Sequence, residues 1–66
     1  MQHSIIVRGE SRVIDRLRAE ASRVARAEKI VWWAEKESAG TRFCFESKKC
    51  LEPFRAACEA MGVETA

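Results

Sequence analysis

The sequence predicts a small α+β domain, a two-layer α/β sandwich in which two helices cover one face of an antiparallel-containing sheet. Short β-branched and aromatic runs alternate with two segments of helical periodicity, in the order strand, helix, strand, strand, helix. The 66 residues suffice for one hydrophobic core, so residues 1–66 are expected to form a single domain. This order predicts a ferredoxin-like or split β-α-β arrangement whose second sheet face is open.

The first half of the chain predicts one strand and one long helix. The run from His3 to Arg8 is rich in β-branched residues and ends at Gly9, which is typical of a strand and a turn. Ser11 is expected to act as a helix N-cap, because a long stretch without Gly or Pro follows it. One apolar stripe predicts the buried face of this helix: Ile14, Leu17, Ala21 and Val24, with Val13 at its margin.

The middle of the chain predicts a β-hairpin. Residues 30–34 and 41–46 are both strand-like, and residues 37–40 between them favour a turn. A loop of two or four residues places Trp32 on the core face and Trp33 on the open face, whereas a three-residue loop reverses the two. In either case one tryptophan faces outward.

The last third predicts a second helix. Leu51, Phe54, Cys58 and Met61 recur at helical spacing, and Pro53 is compatible with a position near the first turn. Gly62 is suited to a left-handed position that ends this helix in a Schellman motif. Residues 63–66 leave open a short fourth strand.

Composition and cysteine spacing narrow the range of functions. No apolar run approaches the ~18 residues of a membrane span, and no basic segment or cleavage site marks a leader, so a cytoplasmic protein is expected. The net charge of +2 is too small to imply a polyanionic partner without clustering. The odd number of cysteines predicts reduced thiols: Cys44, Cys50 and Cys58.

Chemistry at the cysteines has little support in the sequence. Cys44 is a candidate nucleophile or redox thiol, with Arg8 and Arg42 near enough to favour the thiolate. However, no C-x-x-C pair occurs, and the single histidine is His3, close to the N-terminus. The spacings also lack the close ligand pairs of zinc sites. We therefore expect no enzymatic activity, no metal and no cofactor.

The predicted sheet leaves an apolar patch on its open face. With strand one beside strand three, the outward positions form a patch of Ile6, Trp33 and Cys44, rimmed by Arg8, Glu35 and Arg42. Exposed apolar patches with charged rims mark interaction sites, and tryptophan and arginine are enriched at binding hot spots.

The patch predicts a non-enzymatic interaction module that binds a protein partner or a second copy of itself, through the open sheet face or the free edge of strand one. Domains of this size are often accessory or inhibitory proteins. The alternative is binding of single-stranded RNA or DNA, by the same face or by an arginine ridge on helix one: Arg12, Arg16, Arg23 and Arg26.

Overall fold

The computed structural model describes residues 3–65, and the observed elements follow the predicted order. They are β1 (His3–Arg8), α1 (Ser11–Glu28), β2 (Trp32–Glu37), β3 (Gly40–Phe45), a 3-10 turn (Lys48–Cys50), α2 (Leu51–Ala60) and β4 (Glu64–Thr65). The predicted fold class, a small α+β sandwich, is confirmed. The fourth strand that the sequence left open is present as two residues, and Ala66 lies outside the described residues.

The four strands form one antiparallel sheet in the order β2-β3-β1-β4, which is the ferredoxin-like order. Strand β1 pairs with β3 along its length and with β4 at Val7 and Arg8. The prediction that strand one has a free edge is therefore wrong at its Val7–Arg8 end, because the chain returns after α2 and β4 pairs there. Among residues 3–65 no strand pairs with the outer side of β2, which makes β2 an edge of the sheet.

The β2–β3 register settles which tryptophan faces outward. Trp32 lies opposite Phe45 and Trp33 opposite Cys44, and the pairing continues to Glu37 and Gly40. Only two residues connect the last pair, so the two-residue alternative is confirmed. Trp32 consequently joins the core layer, where its ring stacks on Phe43, and Trp33 faces away from the helices.

The core lies between the sheet and the two helices. Phe43, Phe45 and Phe54 are fully buried, and Phe54 brings α2 against the centre of the sheet. The predicted stripe of α1 is buried as expected. On α2, Phe54 and Cys58 are buried, while Leu51 and Met61 are partly buried against the same core.

The helix ends agree with the sequence at one position and differ at another. Ser11 is not the N-cap of α1: Glu10 holds the extended cap position, and its carbonyl accepts from the Ile14 amide at 2.9 Å. Ser11 therefore already lies in the first turn. At the end of α2 the Schellman motif is confirmed, because Gly62 has φ 69° and the Val63 amide donates to the Cys58 carbonyl at 3.0 Å.

The end of α1 has the same motif without glycine. Lys29 adopts the left-handed conformation with φ 57°, and the Ile30 amide donates to the Ala25 carbonyl at 3.0 Å. A left-handed Lys is strained by about 1 kcal/mol relative to glycine. The bond made by Ile30 and the contact of Ile30 with the core hold the backbone there.

Gly40 begins β3 at a point where two backbones approach closely. Its φ is 147°, and a Cβ atom built on it would overlap the Val7 carbonyl oxygen of β1. Any other residue would therefore separate β3 from β1 or change the backbone of the hairpin.

We predict that Gly40→Ala destabilises the fold by at least about 2 kcal/mol, because backbone strain and steric overlap add. Gly62→Ala is the matched control, since a Cβ atom there would meet nothing within 4 Å and only the left-handed strain of about 1 kcal/mol remains. Denaturant unfolding of both variants measures the difference. Equal losses of stability would contradict the steric role of Gly40.

Candidate interaction face

The open face of the sheet is built from the residues that alternate with the core layer. The register aligns them in rows across β2, β3 and β1, so that Trp33 lies beside Cys44 and Ser4, and Glu35 beside Arg42 and Ile6. The helices cover the opposite face, so these side chains have no second layer above them in the described part of the chain.

Two large hydrophobic side chains among residues 3–65 are exposed, and they are neighbours. Trp33 is 40% exposed and Val31 is 62% exposed. Val31 immediately precedes β2, and its spacing of two residues from Trp33 places both on the open side of the sheet edge. The indole Nε1 of Trp33 donates to Glu35 at 3.2 Å, so the ring is held over β2.

The predicted patch does not include Val31, although strand alternation in the sequence predicts that its side chain faces outward. The sequence predicts a strand over residues 30–34, and alternation from an outward Trp33 also predicts an outward Val31. In the structure β2 begins at Trp32, and the Val31 amide donates to the Glu46 carboxylate at 3.1 Å. The predicted patch omits Val31 because it extends from Trp33 toward strand one and not along β2.

Arg42 ties three strands together at the centre of the open face. Its Nε and Nη2 donate to the Glu37 carboxylate at 2.7 and 3.2 Å, and its Nη1 donates to the Ser4 hydroxyl at 3.0 Å. The hydrogen bond from Arg42 lowers the pKa of Glu37 below its usual range. Arg42 is therefore half-buried and engaged within the sheet, whereas the sequence predicted it on the rim of the patch.

The expected exposure of Cys44 is wrong. Cys44 lies on the open face but is fully buried, because its side chain is short and β3 is flanked by Trp33 on one side and Ser4 on the other. Burial raises the pKa of the Cys44 thiol, and the nearby Glu35 raises it further against the opposing effect of Arg42. Arg42 acts in the expected direction, but burial outweighs it, so the neutral thiol of Cys44 is favoured over the thiolate.

The remaining patch residues are separated from one another. Ile6 is partly buried and lies level with Arg42, while Arg8 and Glu35 are exposed. The predicted patch of Ile6, Trp33 and Cys44 is therefore not one continuous apolar surface. The exposed large hydrophobic residues are instead Val31 and Trp33, two positions apart along the chain, which we call the β2 patch.

The charges on the open face are mainly negative. The register places four carboxylates on or beside this face against two guanidinium groups: Glu35, Glu37, Glu46 and Glu64 against Arg8 and Arg42. The chain as a whole has a net charge of +2, so the helical side and the edges carry the positive excess. Carboxylates next to the β2 patch oppose a phosphate backbone.

The arginine ridge of α1 is partly neutralised. Arg23 forms an ion pair with Glu20 at 2.6 Å, and Arg26 donates to the Ser22 hydroxyl at 3.3 Å. A groove of about 510 Å³ runs between α1 and α2 beside the ridge. Three charged side chains of α1 form part of one wall: Arg16, Glu20 and Arg23. The rest of the lining is mostly small and apolar: Ala19, Pro53, Ala56, Ala57, Ala60 and Met61.

Within residues 3–65, no group of three or more His, Cys, Asp or Glu side chains is placed to hold a metal ion. In the same range, neither α1 nor α2 combines the length and apolar character of a membrane-spanning helix.

Comparison of the chain with protein-family models, with curated proteins and with solved structures finds no significant match. The assignment of a function therefore depends on the geometry and chemistry of the residues themselves.

We predict that the Glu37–Arg42 pair makes stability depend on pH in the acid range. The pKa of Glu37 is lowered in the folded state, so this contribution is fully present above the ordinary glutamate value of 4.5 and is lost as the pH falls through the lowered value. Glu37→Gln should flatten this part of the curve, measured by urea unfolding from neutral to acid pH. Identical pH profiles of the two proteins would contradict the role of the pair.

We also predict that all three thiols react slowly in the native protein. Burial raises the pKa of Cys44, Cys50 and Cys58, so each stays protonated and shielded at neutral pH. Labelling with a chromogenic thiol reagent should be slow without denaturant and fast after unfolding. One thiol that reacts rapidly in the folded protein would contradict this prediction.

Proposed function

We propose that the protein is a non-enzymatic interaction module that binds a protein partner through the open sheet face, at the β2 patch. The observation that carries this proposal is the adjacency of Val31 and Trp33, the two exposed large hydrophobic side chains of residues 3–65. Monomeric proteins expose single apolar residues freely, but an exposed tryptophan beside a second apolar side chain is typical of a binding anchor.

The surroundings of the β2 patch favour a protein over other partners. Glu35 and Glu46 flank it and suit basic or hydrogen-bonding groups of a partner surface. Nucleic-acid binding by this face has weaker support, because several carboxylates share the face with only two arginines. Binding by the ridge of α1 is also weaker, since Arg23 and Arg26 are engaged within the helix.

The framework beneath the patch is suited to binding without chemistry. Arg42, Glu37 and Ser4 bond to one another, and the Cys44 thiol is buried, so the reactive groups of this face are already engaged or shielded. The sheet therefore supplies a rigid support for Trp33, and rigid aromatic anchors lose little entropy on binding.

A site-specific photo-crosslinking experiment tests the proposal. A benzophenone amino acid replaces Val31 in one variant and Ala27, which is exposed on α1, in the matched control. Irradiation in a native lysate should yield discrete protein adducts at position 31 and none at position 27. Trp33→Ala in the Val31-labelled chain should weaken capture about 30-fold or more, the effect of losing a hot spot of about 2 kcal/mol.

Three results would contradict the proposal. Nucleic acid recovered at position 31 in place of protein would assign the face to the alternative function. Adducts that form equally at positions 31 and 27, or that persist after Trp33→Ala, would show that the β2 patch is not the binding surface. Unfolding of Trp33→Ala provides the folding control, and a change within about 1 kcal/mol is expected because Trp33 lies outside the core.

A further inference from the structure

We infer that a second copy of this chain binds along the free edge of β2. The two β2 strands pair antiparallel, about a two-fold axis at Ala34. The inference rests on the proposed function, because it uses the same edge of the open face, and it adds the identity of the occupant and the register. The first observation is that β2 spans six residues, from Trp32 to Glu37, with no strand on its outer side among residues 3–65.

The backbone groups that face this edge follow from the hairpin register. The Glu46 amide donates to the Val31 carbonyl at 3.0 Å, so residue 31 belongs to the series that bonds to the β3 side. Hydrogen-bonded and non-bonded pairs alternate in an antiparallel ladder. Trp33, Glu35 and Glu37 therefore bond inward, while the amides and carbonyls of the alternate residues point to the free edge: Trp32, Ala34 and Lys36.

A second β2 strand matches these groups best when Ala34 lies opposite Ala34 of the second copy. Each residue whose backbone groups point to the free edge then faces another such residue. Trp32 of each copy lies opposite Lys36 of the other copy. All three pairs can exchange both of their backbone hydrogen bonds. The two sheets become one continuous sheet with the open faces on the same side, because opposed residues have the same parity.

The side chains favour the same register. Glu35 lies opposite Trp33 of the second copy and Glu37 lies opposite Val31. The two Trp33 side chains therefore become diagonal neighbours across the axis, within reach of each other. An axis at Glu35 would oppose Glu35 with itself, and an axis at Lys36 would do the same for lysine, which destabilises strand pairing. An axis at Trp33 would leave the outward groups of Lys36 opposite Ile30, outside the strand.

The positions of the charged residues of β2 disfavour other pairing registers. Charges on edge strands normally prevent pairing with other chains. In β2 the sequence Glu35-Lys36-Glu37 occupies one end of the strand and Trp32-Trp33 the other. Antiparallel pairing of two such strands brings each charged end beside an aromatic end, where lysine and the indole of Trp32 attract each other.

The experiment measures association and register together. Sedimentation velocity of the purified chain from low micromolar to millimolar concentration should show a monomer–dimer equilibrium that shifts with dilution. Ala34→Pro removes the outward amide at the axis without removing a bond to β3, and it should weaken the dimer by roughly tenfold or more. Its folding is checked by near-ultraviolet circular dichroism.

Disulfide trapping reads the register even if Ala34→Pro fails to fold. A mixture of Val31→Cys and Glu37→Cys chains should form a mixed disulfide under mild oxidation, because these positions oppose each other across the proposed axis. The matched control is a mixture of Val31→Cys and Glu35→Cys, which would be opposed only about an axis at Trp33. The native thiols are buried and contribute little background.

Three outcomes would overturn the inference: a monomer at every concentration, equal trapping in both mixtures, or a dimer whose stability is unchanged in folded Ala34→Pro. A monomeric chain that still captures another protein through position 31 would overturn the dimer and leave the proposed function standing. Adducts at position 31 with a second copy of the chain alone, together with a trapped dimer, would support the inference and restrict the function to self-association.

Discussion

Phe54 of α2 packs against both inward phenylalanines of β3, with ring centroids 4.9 Å from Phe43 and 5.2 Å from Phe45. This cluster joins the helical layer to the middle of the sheet. Once residues 43 and 45 point inward, strand alternation sends Arg42 and Cys44 to the other face. The same packing therefore fixes the core and determines which groups the open face can offer.

A single helical layer leaves half of the sheet without apolar cover, and Arg42 partly compensates for this. Its guanidinium reaches Glu37 on β2 and Ser4 on β1, so its side chain extends across three strands. Long side chains of this kind shield sheet surface with their methylene groups while their charged ends stay hydrated. Trp33 and Ser4, which flank Cys44, shield it in a similar way, so a small domain can bury a residue on its uncovered face.

Periodicity in the sequence predicted the elements, both helical stripes and the cap at Gly62, because these depend on local chemistry. The outward tryptophan depended on a turn length that the residues from Glu37 to Gly40 allow in more than one form. The burial of Cys44 was missed because alternation gives the direction of a side chain and not the size of its neighbours. Ser11 was misplaced by one residue, since the extended Glu10 backbone begins the helix without a side-chain cap.

The charge distribution has a consequence for how this molecule meets other molecules. Its open face is mainly acidic while the chain as a whole is positive, so charge is distributed unevenly between the sheet side and the helical side. Such a distribution orients an approaching basic surface toward the open face before contact forms. It also disfavours the direct approach of two open faces to each other, because both are mainly acidic. Salt that reduces the Debye length below about 10 Å would remove this orientation and slow the encounter with a basic surface.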